Sequence, residues 1–178
     1  MYRTVCLMTT REKYITDFLL RWEGGYAGNI DGQTCTMSGV TLNTYRAFYG
    51  KNKDCSDLRK ITREEWFEIF RKGFYDRVKG DQIRNDSICL LIVDFAYNSG
   101  VKTAIRQVQK ALGCTADGII GPKTLAAINA EDADDVFQNI WAQRYWFYWN
   151  LAQKPSKAKF LKGWLNRLNS IDFKAAVS

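Results

Sequence analysis

Apolar residues recur along most of the chain at steps of three and four, the spacing of one buried helix face. Tyr14, Ile15, Phe18, Leu19 and Trp22 do so first and predict a helix over residues 11–22. Gly24 and Gly25 follow at once, and glycine stops a helix because it enters left-handed φ/ψ without steric cost. Residues 27–40 lose the helical period and fill with Gly, Asn, Asp, Ser and Thr, so they read as turns with at most a short hairpin. Thr41 is placed to cap a helix through Tyr49, closed by Gly50. Residues 51–60 read as a charged loop.

Thr62-Arg63-Glu64-Glu65 has the form of a capping box, in which hydroxyl and carboxylate satisfy each other's exposed amides. It opens a helix with Trp66, Ile69, Phe70, Phe74 and Val78 as its buried stripe, ending near Gly80. Ser87 is read as the cap of SICLLIVDFAYNSG, which is apolar nearly all round and so predicts a central helix enclosed by others. Residues 101–112 are amphipathic up to Gly113, and Pro122 takes a favoured first-turn position before a short helix over 123–128. A long helix over 132–151 ends in aromatic residues, Pro155 breaks it, and 158–168 gives the last. Seven or eight helices and one polar insert make the chain mainly α.

Composition narrows the chemistry. The 178 residues fit one domain or one with a small subdomain, and 46% hydrophobic residues can bury a real core. No histidine occurs, which excludes Ser-His and Cys-His catalysis and most zinc sites. The net charge of +7 favours a polyanionic partner, but the basic residues are spread out, so nucleic acid is not indicated. Cys6, Cys35, Cys55, Cys89 and Cys114 are odd in number and lack CxxC spacing, so the expectation is mostly free thiols in a reducing compartment. The N-terminus lacks the apolar region of a signal peptide and no 18-residue apolar run exists, so synthesis in the cytoplasm and no stable membrane insertion are expected.

Carboxylates remain as the strong catalysts. Glu23 stands where the first helix ends, flanked by Trp22 and Tyr26, and an aromatic, poorly hydrated setting there would raise its pKa as a general acid requires. A surface glutamate at a frayed helix end is the commoner case for such a position. Asp31 and Thr36 follow in the turn-rich insert. An acid at a helix end and a carboxylate in a facing loop can flank one glycosidic bond, one protonating the leaving oxygen and the other activating water or stabilising positive charge.

The stretch WEGGYAGNIDGQTCTMSGVTLNTY resembles the glutamate motif of glycoside hydrolase family 108, the N-acetylmuramidases. VDFAYNSGVKTAIRQVQKALGCTADGIIGPKTLAAI is similar to that family's Asn-Ser-Gly helix and the turn of its peptidoglycan-binding half. RYWFYWNLAQKPSKAKFLKGWLNRLNSI matches its closing Gly-Trp-Leu-Asn-Arg block. The loop after Glu-Gly-Gly-Tyr departs from the family pattern, being shorter and carrying Asp31-Gly32-Gln33 where an Asp-Pro-Gly-Gly run is common.

The resemblance implies a lysozyme-like α fold with Glu23 as proton donor and with Asp31 and Thr36 positioning water or stabilising charge. The substrate it implies is the peptidoglycan glycan strand, cut at the β-1,4 bond between N-acetylmuramic acid and N-acetylglucosamine, with no metal or cofactor. Tyr26, Thr41, Tyr97, Asn98 and Trp164 are the candidate substrate-binding residues, although Asn98 serves equally well as a helix cap and Trp164 as packing. Asp94, in its apolar run, reads as a buried acid with a backbone or arginine partner. Arg144 and Lys162 read as solvated helix-face residues or the lining of an anionic groove.

The expected division is a tail over 1–10, a catalytic half over 11–100 and a helical peptidoglycan-binding half over 101–178. A lytic transglycosylase, or a non-catalytic wall-binding or secretion-accessory module, is the alternative. An endolysin-like monomer, from a phage or prophage and released to the wall with the help of a holin, fits the absence of a signal peptide.

Overall fold

The computed structural model describes residues 8–28 and 34–174. Its first helix, α1 (Thr10–Trp22), starts in a capping box between Thr9 and Glu12 and buries Ile15, Phe18 and Leu19. It ends without left-handed glycine. Glu23 is itself the C-cap, in extended backbone (φ −84°, ψ 133°), and neither Gly24 nor Gly25 takes a positive φ.

The polar insert is a three-stranded antiparallel sheet: β1 (Tyr26–Gly28), β2 (Cys35–Met37) and β3 (Val40–Thr41). Ser38 and Gly39 turn β2 into β3 with φ of 47° and 79°. Two positive φ values match the twist of the strands they join. Thr41 then caps α2 (Leu42–Tyr49) by accepting from the Thr44 amide.

Residues 51–60 are not all loop. Asp54 and Asp57 form a capping box that starts α3 (Cys55–Arg59), whose Cys55 and Leu58 are buried. Cys55 is bonded to Cys35, which ties α3 to β2; two of the four cysteines among the described residues are thus paired rather than free, and Cys6 lies outside them. Cys89 is free and fully buried, and burial pushes its thiol up to about 12 against the opposing pull of Arg11. Cys114 is free and half-buried.

Thr62 caps α4 (Arg63–Phe70) as expected. The chain then widens into a π-turn over Arg71–Tyr75 and tightens into 3₁₀ turns up to Gln82. The change of period turns Tyr75 inward and leaves Phe74 half-buried. Arg71 ties this stretch together, pairing with Glu12, with Asp76 at 2.8 Å and with Asp81 at 2.6 Å.

The central helix is α5 (Asp86–Ser99), capped by Asn85 and not by Ser87, which is buried inside the first turn. Every residue from Ser87 to Ala96 is buried. Each buried Ile, Leu, Val or Phe there contributes about 1.5–3 kcal/mol of apolar transfer, so α5 is the axis on which the rest packs. Around it lie α6 (Val101–Ala111), α7 (Pro122–Ile128) and the long α8 (Ala133–Ala152). The expected last helix is two pieces, α9 (Pro155–Ala158) and α10 (Leu161–Asn169), with α10 packed on α8. The described chain is mainly α with one small sheet.

Candidate functional site

Glu23 projects from the end of α1 with a side chain 17% exposed. Its Oε1 accepts from Nη1 of Arg167, on α10, at 2.6 Å. Arg167 also donates from Nε to Oδ1 of Asp94 at 2.8 Å, while its Nη2 lies 2.7 Å from the same oxygen without hydrogen-bond alignment. Asp94 is fully buried on α5, and its Oδ2 accepts from Nη2 of Arg144 at 2.5 Å. Two carboxylates and two guanidiniums thus alternate, balancing one another's charge.

Burial alone would cost these ions several kcal/mol each, on the order of what good pairing returns. Arg144 meets that condition. It is fully buried, donates to the Tyr148 hydroxyl and the Leu91 carbonyl, and lies over the Phe95 ring at 4.9 Å. This corrects its reading as a groove-lining or solvated arginine, while Asp94 is the buried, arginine-bonded acid expected. Burial opposes charge on Arg167, yet Asp94 and Glu23 raise its pKa above the ordinary arginine value.

The second wall of the site is the β2–β3 turn. A Cβ at Gly39 would stand 2.4 Å from Cε1 of Tyr97 and 2.8 Å from Oε2 of Glu23, so only glycine lets the turn close on both. The turn is anchored through the Ser38 carbonyl, which accepts from the Tyr97 hydroxyl at 2.7 Å and from the Trp66 indole at 3.1 Å. The same indole donates to Tyr97 Oη at 3.2 Å. Burial, and after it the charge of Glu23, push the Tyr97 phenol well above its usual range. Tyr97 therefore remains a neutral hydrogen-bonding group.

The remaining candidates separate. Thr36 faces Ala27 on one side and Thr41 on the other across the sheet. Both threonines line an open depression of about 450 Å³ with Gly28, Thr34 and Asn43. Glu23 is not part of that lining. Tyr26 is exposed on the edge strand with the Arg59 guanidinium 5.2 Å from its ring centre. Asn98 turns its amide nitrogen back onto the Asp94 carbonyl at 2.9 Å. Trp164 stacks on Tyr148 at 5.3 Å, one turn before Arg167. Lys162 is exposed, and Asp31 lies outside the described residues.

Arg167 and Gly39 were not named as site residues by sequence reasoning, and Trp66 was read only as part of a buried helix stripe. The closing Gly-Trp-Leu-Asn-Arg block and the isolated acid Asp94 were signals for the first, since a buried acid requires a partner.

Residues 16–100 match the family model of glycosyl hydrolase 108, and residues 103–169 match that of a predicted peptidoglycan domain. The two matches follow one another in the order that the resemblance implies. A structure titled "Structure of Brucella abortus SagA" is similar at 28% identity and a TM-score of 0.78, over 89% of this chain and 90% of that one. The comparison with curated proteins finds no match. A glycosyl hydrolase 108 part joined to a peptidoglycan domain makes the chain a peptidoglycan hydrolase of the glycoside hydrolase kind. Glu23, Gly39, Asp94 and Tyr97 fall in the glycosyl hydrolase part, Arg144 and Arg167 in the peptidoglycan part. The ion network therefore joins the two.

Proposed function

We propose that the chain hydrolyses the β-1,4 bond between N-acetylmuramic acid and N-acetylglucosamine, with Glu23 as general acid. The observation that carries this reading is the setting of Glu23: a carboxyl at a helix end, held through one oxygen by Arg167, with the other turned to the Gly39 wall. Oε2 is then the oxygen that carries the proton. The proton passes to the glycosidic oxygen as the C–O bond breaks, leaving oxocarbenium-like charge on the sugar.

Asp31, on the segment joining β1 to β2, is the proposed second carboxylate, and Thr36 the residue that positions the attacking water beside it. Thr41, Tyr26, Asn98 and Trp164 are proposed as glycan contacts. Tyr97, which holds the Ser38–Gly39 turn against Glu23, is proposed as a further glycan contact. The proposed division follows the matched parts: a catalytic half up to about residue 100, and a wall-binding half from about 101 that also supplies Arg167.

An endolysin-like role, with action at the wall after holin-assisted release and as a monomer, completes the proposal. The Cys35–Cys55 bond supports action in an oxidising space. Among the described residues no helix is long and apolar enough to cross a membrane.

Mass spectrometry of fragments released from purified sacculi tests the reaction type. Reducing N-acetylmuramic acid ends are expected. Products ending in 1,6-anhydro rings would mean that the substrate's own hydroxyl attacks, and the hydrolase reading would fail in favour of a lytic transglycosylase.

A further inference from the structure

The end of α8 and the turn into α10 form a surface that the proposed reaction does not use. Trp146, Trp149 and Phe160 are 55%, 42% and 44% exposed, although rings of this size are usually covered. Residues 153–160 are exposed without interruption. Lys154, Lys157 and Lys159 lie in this run, the last two with their ammonium groups 5.9 and 5.1 Å from the Phe160 ring centre. From Val136 to Ile171 the sequence holds no acidic residue. Arg144 and Arg167 are the buried basic residues of that stretch and are matched by Asp94 and Glu23. Among the described residues no acid forms an ion pair with Lys154, Lys157 or Lys159, and the last two stand beside the Phe160 ring.

We propose that this face docks peripherally on an anionic phospholipid bilayer. Exposed tryptophan beside lysine is the composition that lies at a membrane–water boundary, the rings at headgroup depth and the ammonium groups on the lipid phosphates. The lysines of the same exposed run favour an anionic bilayer surface. Trp141, Tyr145 and Trp149 stack in a ladder, at 5.8 Å and 15° and then at 6.5 Å and 11°. Trp146 stands edge-on to Tyr145 at 88°. Insertion among headgroups needs apolar bulk with polar edges, which the exposed Trp146 and Trp149 supply. Such docking would hold the hydrolase at the membrane surface beneath the wall it cuts.

Co-sedimentation of the full chain with vesicles of phosphatidylglycerol and phosphatidylethanolamine tests this, with phosphatidylcholine vesicles and purified sacculi as parallel arms. The wild type should pellet with the anionic vesicles, with a blue shift of tryptophan emission, and should stay in solution with phosphatidylcholine. Removing each lysine should weaken binding about fivefold, so the triple variant Lys154→Gln, Lys157→Gln, Lys159→Gln should bind about a hundredfold more weakly. Trp146→Ser should reduce both binding and blue shift. Wild type that remains in the supernatant of anionic vesicles overturns the proposal, as does a triple variant that binds them equally well. If the triple variant loses sacculus binding and not vesicle binding, the face is a wall contact and the bilayer proposal falls. Reducing-end release from sacculi, followed in the same samples, reports separately on the proposed reaction.

Discussion

Glu23 and Arg167 are 144 residues apart in sequence and 2.6 Å apart in space. The arginine comes from the part that matches the peptidoglycan domain, the glutamate from the part that matches glycosyl hydrolase 108. The carboxyl proposed to act on the substrate is thus oriented by the other half of the chain.

Replacing Arg167 should show this coupling. Arg167→Met leaves Glu23 without its partner and Asp94 with Arg144 alone. Breaking a buried pair costs about 3 kcal/mol or more, which urea unfolding should register. Misplacement of the carboxyl by about 1 Å should lower kcat about a hundredfold. Arg167→Lys keeps the charge but loses the fork that spans two carboxylates. It should restore stability more than kcat.

Gly39→Ala tests the second wall. The substitution forces a left-handed backbone on a residue with a Cβ, at a cost of about 1–2 kcal/mol, and pushes on Tyr97 and Glu23 together. Activity on sacculi should fall by far more than the melting temperature suggests. The same change at Gly24, where an added Cβ meets nothing within 4 Å, should leave the melting temperature nearly unchanged.

Reduction should loosen the insert. The Cys35–Cys55 bond closes a loop across a sequence separation of 20, for which chain entropy suggests about 3 kcal/mol. Adding reductant should lower the melting temperature of the wild type and leave Cys55→Ser unaffected. Peptide mapping under non-reducing conditions should recover the Cys35–Cys55 link.

Acid should weaken the turn before α7. Asp117 is held below the usual carboxylate range by the Gln109 amide at 2.7 Å and then by the Ile119 amide at 2.8 Å. A lowered folded-state pKa stabilises above the unfolded value and is lost as pH falls through the folded one. Stability should therefore fall below about pH 4, and Asp117→Asn should flatten that slope in a series of urea midpoints. Asp54, lowered by the Asp57 amide, contributes with the same sign.

Much of the fold was readable because it is local. Thr41, Thr62 and Asp132 cap helices by contacts within three residues, and the unbroken apolar run of α5 requires enclosure. What was missed follows a different logic. The capping box of α3 uses two aspartates in a charged stretch with only two buried residues, too few to show a period. The π-turn over Arg71–Tyr75 shifts the period partway along the apolar stripe that begins at Trp66. The Cys35–Cys55 bond and the Glu23–Arg167–Asp94–Arg144 chain pair residues across large sequence distances, which no spacing rule reports. Glu23 itself was legible as a carboxylate at a helix end, but its guanidinium partner was not.

The central claim is tested most directly by the release of reducing ends from purified sacculi by wild type and Glu23→Gln at equal sacculus occupancy. General acid catalysis supplies about 10²–10⁴ in rate, so the variant should be at least a hundredfold slower while its circular dichroism and binding are unchanged. A Glu23→Gln protein that cuts at close to the wild-type rate would show that another group donates the proton.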